Sequence, residues 1–187
     1  DAEVHYNLAN FYCDSNQLEA AKAGYQKAIK LAPGLAKAHF NLAHVLKDLK
    51  QFTSAETSYR KGLKLEPQQA KIHFYLGLCL YAQERFKDAL KSFQKSLKLS
   101  ENDVDVYLHL GICHRALGNL TQAEEYCRKA LRIDSQDADI YNQLAIILNE
   151  QGRQQEAETA YLKAIELDTN HVVAHQNLGL FYRDRDK

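Results

Sequence analysis

The sequence predicts an all-α fold, a solenoid of stacked antiparallel helix pairs, on three observations. Leu8, Leu42, Leu76, Leu110, Leu144 and Leu178 recur every 34 residues. Ala21, Ala55, Ala89, Ala123 and Ala157 recur at the same spacing, with no insertion between them. Between these columns the apolar residues fall three and four apart, the period of one helical face. Only two prolines and eight glycines interrupt the chain, few enough to permit helix nearly everywhere. One such unit cannot bury its apolar side alone, whereas stacked neighbours form a continuous elongated core.

The units follow in order as 2–35, 36–69, 70–103, 104–137 and 138–171, with a partial sixth from Val172 to Lys187. Asp1 reads as the last residue of a preceding unit, so the expectation is a single solenoid over 1–187, cut from a longer array. In the second unit, Phe40, Leu42, Ala43, Val45, Leu46 and Leu49 mark the first helix. Phe52, Ala55, Tyr59, Gly62, Leu63 and Leu65 mark the second. The turns between paired helices fall at Asn16-Gln17, Lys50-Gln51, Glu84-Arg85, Gly118-Asn119 and Gly152-Arg153. Gly and Asn accept positive φ there more readily than Lys50 or Glu84. Pro33 and Pro67 close the first two units.

Further columns have steric reasons. Each leucine is followed by a small residue: Ala9, Ala43, Gly77, Gly111, Ala145 and Gly179. These allow close helix approach, as does the Ala21 column from the other side. Tyr25, Tyr59, Phe93, Cys127 and Tyr161 fill the space left beside them, next to the small column Ala28, Gly62, Ser96, Ala130 and Ala164.

Formal net charge is zero, which removes the usual electrostatic case for nucleic acid or an anionic membrane surface. The charge is unevenly placed: residues 1–103 hold 15 Lys and Arg against 11 Asp and Glu, and residues 104–187 hold 9 against 13. No apolar run approaches the ~18 residues of a membrane span, and no secretory leader is visible. Cys13, Cys79, Cys113 and Cys127 form no CxxC pair, so neither a zinc site nor a redox motif is expected. Asn119-Leu120-Thr121 is a glycosylation triplet of a kind that arises by chance.

The pattern resembles the tetratricopeptide repeat, whose signature places an aromatic, Leu-Gly, Tyr, Ala, Phe/Tyr, Ala and Pro at fixed offsets over 34 residues. Leu8, Ala9, Tyr12, Ala21, Tyr25, Ala28 and Pro33 match it in the first unit. The opening aromatic column departs from it, holding His5, His39, His73, Tyr107, Tyr141 and His175. The resemblance covers residues 2–187. It implies a right-handed superhelix whose first helices line a concave groove that holds peptides or partner proteins.

In the family that groove includes the second, fifth, sixth and ninth residues of each unit. Carried over, the ninth column is Asn10, His44, Leu78, Ile112, Ile146 and Leu180. The sixth is Asn7, Asn41, Tyr75, His109, Gln143 and Asn177, and the second includes Lys37 and Lys71. The early end offers amide and ammonium donors. The later end offers an apolar stripe flanked by acids, which a solenoid does not require. Asn10, Asn41 and Lys71 match three of the five places of the clamp with which co-chaperones of the family hold a terminal carboxylate. Tyr6 and Tyr75 replace the other two, removing charge pairs. Asn7, Asn41 and Asn177 keep part of an asparagine ladder like that of the nucleocytoplasmic O-linked N-acetylglucosamine transferase, broken by Tyr75, His109 and Gln143.

Catalytic motifs are missing from the sequence: there is no phosphate loop, nucleophile elbow or His-Glu-x-x-His. His5, His39 and His73 occupy equivalent places on stacked helices ~8–10 Å apart, too far to share a metal. His171 and His175 lie four apart but lack an obvious third ligand. Cys79 and Cys113 read as small buried hydrophobes. The lysine column Lys27, Lys61, Lys95, Lys129 and Lys163 complements the C-terminal ends of the second helices. The expectation is a non-enzymatic, cytoplasmic protein–protein interaction scaffold without cofactor or metal. Two alternatives stand beside it. One is the substrate-recruiting arm of a larger enzyme such as a glycosyltransferase, and the other is a structural solenoid that self-associates through its terminal helices.

Overall fold

The structure is a computed structural model that describes residues 1–185, so positions 186 and 187 of the expected sixth unit lie outside the described residues. Eleven helices and no strand are found among the described residues. The first unit of the sequence frame gives α1 (Ala2–Asp14) and α2 (Leu18–Leu31), and the second gives α3 (Ala36–Asp48) and α4 (Phe52–Leu65). Then come α5 (Ala70–Ala82), α6 (Phe86–Leu99), α7 (Val104–Ala116), α8 (Leu120–Ile133), α9 (Ala138–Glu150), α10 (Gln154–Leu167) and α11 (Val172–Arg185). The helices fall into two compact bodies, Asp1–Ser100 and a second that begins at Glu101. In the first body α2 packs between α1 and α3, and α4 between α3 and α5, which pairs with α6. In the second body α7 to α11 repeat that order.

Each hairpin closes with the same backbone device. Asn16, Lys50, Glu84, Gly118 and Gly152 have φ of 55°, 59°, 59°, 76° and 79°. The next residue's N–H then reaches back five residues: Gln17 to Tyr12 O, Gln51 to Leu46 O, Arg85 to Leu80 O, Asn119 to His114 O and Arg153 to Leu148 O. This left-handed closure satisfies carbonyls at the end of the first helix. Lys50 and Glu84 adopt it despite their Cβ atoms, because the helices they join are already held by packing.

The small columns allow close approach at Gly77 and Gly111, whereas a Cβ on Gly179 would meet no atom within 4 Å among the described residues. A Cβ on Gly77 would stand 2.5 Å from the Phe93 ring, and one on Gly111 would stand 2.9 Å from Cys127 Sγ. In both hairpins close approach replaces a side chain. Histidine serves the loops: His39, His73 and His175 each donate from Nε2 to a carbonyl six residues earlier, on Pro33, Pro67 and Thr169, at 3.0 Å. His171 caps α11. Its Nδ1 accepts from Ala174 N at 3.1 Å while its Nε2 donates to Asp139 at 3.0 Å. Asp103 and Asp137 cap α7 and α9 by accepting from Val106 N and Ile140 N.

A polar brace absent from the family signature links successive hairpins. The largely buried Glu56 carboxylate accepts from Arg60 Nε (2.9 Å), Gln83 Nε2 (3.1 Å) and Arg85 Nη1 (2.7 Å). Two repeats on, Glu124 receives Arg128 at 2.8 Å and Arg153 at 2.7 Å. Burial pushes both carboxyls up, but the hydrogen bonds from their arginines and glutamine outweigh it and hold them below the ordinary value.

Candidate functional site

In the first body, Asn10, Asn41 and His44 meet beside a cavity of about 240 Å³, which Cys13, Asp14 and Tyr25 also line. Asn10 lies on α1, Asn41 and His44 on α3, and Tyr25 on α2. The Tyr25 hydroxyl donates to Asn10 Oδ1 at 2.7 Å. Asn41 Nδ2 donates to the Tyr6 hydroxyl at 3.1 Å and to Asn10 Oδ1 at 3.2 Å. Burial, followed by the neighbouring Cys13, drives the Tyr25 hydroxyl far above its ordinary pKa, so it is a permanent donor here. These bonds fix both amides and leave Asn10 Nδ2 and Asn41 Oδ1 without a protein partner among the described residues.

An aromatic cluster continues from this corner. The Tyr59 hydroxyl donates to His44 Nδ1 at 3.0 Å. The His44 ring stands edge-on to Tyr75 at 4.4 Å, and Tyr75 stacks with Tyr59 at 6.5 Å. Burial, then the nearby Lys47, lowers the His44 pKa and keeps the ring neutral near pH 7, as its acceptor role requires. Lys37 is exposed 4.6 Å above the Tyr6 ring, while Asn7 and Lys71 are also exposed.

The apolar residues of the ninth column are placed differently from a bare solvated stripe. Leu78, Ile112 and Ile146 are half-buried, and the two isoleucines pack against the core of the second body. Leu180 is exposed. In the same body His109 Nδ1 donates to Asp105 O at 2.8 Å. The Gln143 Oε1 is buried without a hydrogen-bond donor among the described residues. Asn177 donates to Asn142 Oδ1 at 2.9 Å, and Asn142 is 1% exposed.

Sequence reasoning missed Cys13, Asp14 and Tyr25 as cavity residues, and Asn142 altogether. Tyr25 stands in a packing column, which hid its hydroxyl. Asn142 occupies the fifth column, where Phe40, Phe74 and Leu108 made an apolar residue the natural expectation. No group of three or more His, Cys, Asp or Glu side chains that could hold a metal occurs among the described residues.

This stacked-hairpin geometry, with its 34-residue period, agrees with a known family. The family model of the cilia and flagella-associated protein 70 C-terminal domain, a tetratricopeptide-repeat domain, matches residues 1–178. The chain belongs to that family. No curated protein matches it by sequence. Among solved structures it resembles YrrB, a tetratricopeptide-repeat protein described as having an unusual peptide-binding site. The two share 26% identity and a TM-score of 0.82 over 95% of this chain and 91% of that one. PilF of Pseudomonas aeruginosa is 24% identical with a TM-score of 0.78, over 99% and 86%. MamA of Desulfovibrio magneticus is 19% identical with a TM-score of 0.86, over 91% and 97%. These last two show the fold alone. The family is a tetratricopeptide-repeat solenoid, a fold typical of protein-interaction scaffolds. No helix among the described residues is long and apolar enough to cross a membrane.

Proposed function

We propose that the chain is a non-catalytic scaffold that binds an extended peptide of a partner protein at the corner formed by Asn10, Asn41 and His44. One observation carries this reading. Asn10 Nδ2 and Asn41 Oδ1 offer one donor and one acceptor from amides already oriented by Tyr6 and Tyr25. A backbone peptide unit presents the matching acceptor and donor, and pre-oriented groups lose little entropy when they engage it. Asp14 on the cavity wall, and tyrosine in place of two clamp cations, disfavour a terminal carboxylate and favour an internal, uncharged stretch. The peptide-binding site for which YrrB is described supports the same class of ligand. Four free thiols suit a reducing compartment such as the cytoplasm.

The test is capture of partners from a cell lysate on wild type, Asn10→Ala/Asn41→Ala and Leu180→Asp, each first checked by circular dichroism. Loss of the same partner in the double variant alone is expected. An unchanged set of partners in all three folded proteins would overturn this site and turn attention to self-association, which the opposite charges of the two halves favour.

A further inference from the structure

The first body carries a second concavity, between the second helices of successive pairs. It holds about 330 Å³ between α4 and α6, above α5. Arg60 and Lys64 form one wall, Lys91 and Lys95 the other, and Leu63 and Leu76 line it between them. No carboxylate among the described residues lines it. Glu56 and Asp88, which reach Arg60 and Lys91, are both shared with Arg85. Lys64 and Lys95 have no ion-pair partner among the described residues.

The second body contains the equivalent concavity two repeats on, of about 340 Å³. There Thr159 replaces Lys91, and Glu156 lines the wall. Arg128 is paired with Glu124 at 2.8 Å and Lys163 with Glu166 at 2.8 Å. The same shape therefore occurs twice, lined by four cations and no acid in the first body and by two cations and one acid in the second. Packing sets the shape, and nothing in packing demands the charge.

We propose that the α4–α6 groove docks an extended acidic segment of a partner protein, a short run of Asp or Glu residues. The two cations on each wall lie four residues apart on a helix, a rise of ~6 Å. Alternate side chains of an extended chain stand ~6.7 Å apart on one side. Successive carboxylates can thus reach the two walls in turn, with aliphatic stems against Leu63 and Leu76. No Phe, Tyr or Trp is among the described residues that line the groove, and its imidazole, His73, is buried and bonded to Pro67 O at 3.0 Å, which favours peptide over single-stranded nucleic acid.

The experiment titrates fluorescein-labelled hexaglutamate into the full chain at low ionic strength, read by anisotropy. It compares wild type with Lys64→Glu/Lys95→Glu and with Arg132→Glu/Lys163→Glu, which makes the same net charge change at the equivalent places of the second body. The expected result is saturable binding, weakened about tenfold by the first pair and within about twofold for the second. Equal weakening by both pairs, no binding to wild type, or displacement of hexaglutamate by an RNA hexamer at lower concentration would overturn the proposal. If circular dichroism shows either reversal variant unfolded, the Lys64→Gln/Lys95→Gln and Arg132→Gln/Lys163→Gln pairs must show the same ordering. Asn10→Ala/Asn41→Ala leaves this binding unchanged, which separates it from the concave corner.

Discussion

Arg85 Nη1 lies 2.7 Å from Glu56 Oε2, and this contact ties the start of α6 to the body of α4. Removing the carboxylate strands Arg60, Gln83 and Arg85 together. Glu56→Ala is expected to cost about 1–3 kcal/mol in urea unfolding. Arg85→Ala, whose own side chain is 42% exposed, should cost less. Equal losses in the two variants would contradict the burial difference.

Acid should release the same brace. The Glu56 and Glu124 carboxyls titrate below 4.5 when folded and near it when unfolded. Their contribution is fully present above that unfolded value and is lost as pH falls through the folded ones. Urea midpoints should therefore drop as pH falls below the ordinary carboxylate value, and Glu56→Gln/Glu124→Gln should flatten the decline. A decline as steep as wild type would remove these groups from the account.

Lys50→Gly should stabilise the chain. Lys50 holds φ of 59° with a Cβ in place. Relieving that cost outweighs the extra entropy of glycine in the unfolded chain by roughly 0.5–1 kcal/mol. Gly118→Ala, at φ of 76°, should move the thermal midpoint the other way.

Gly77→Ala places a methyl against Phe93 and is expected to destabilise by about 1–3 kcal/mol. The double variant Gly77→Ala/Phe93→Leu should recover part of the loss, measured by thermal melting as a non-additive cycle.

Thiol accessibility gives a readout of the concave corner. Cys79, Cys113 and Cys127 are buried, and burial pushes each thiol up to about 12. Cys13 is only half-buried and lines the Asn10–Asn41 cavity. A thiol reagent at mild pH should modify Cys13 alone in the native chain and all four cysteines in denaturant. A bound peptide should slow the native reaction. Release of three or four native equivalents would be at odds with this burial.

Most of the fold was legible because stacking imposes the same steric demand every 34 residues. Ala9 and Gly77 must be small where helices touch, and Tyr25 and Phe93 must fill what remains. The site was less legible because its chemistry follows no period. Asn10 and Asn41 could be placed on the groove by resemblance, but the orienting hydroxyls belong to Tyr6 and Tyr25, one of them in a packing column. Ile112 and Ile146 could be read as solvated because sequence gives the face of a helix and not how deeply the neighbouring helix covers it. Glu56 and Glu124 share a column with Lys22, Leu90 and Glu158, so no repeat average reveals their brace.

That brace has a consequence for how the chain opens. In a linear stack, each interface contributes its own coupling, and neighbouring repeats melt together where coupling is strong. Glu56 and Arg85 fasten α3–α4 to α5–α6, and Glu124 and Arg153 fasten α7–α8 to α9–α10. Amide exchange should accordingly sort into two cooperative blocks, each two repeats long, with the amides of α4 and α6 sharing one opening free energy and those of α8 and α10 another. The unit of architecture is one helical hairpin, while the expected unit of cooperative opening is two.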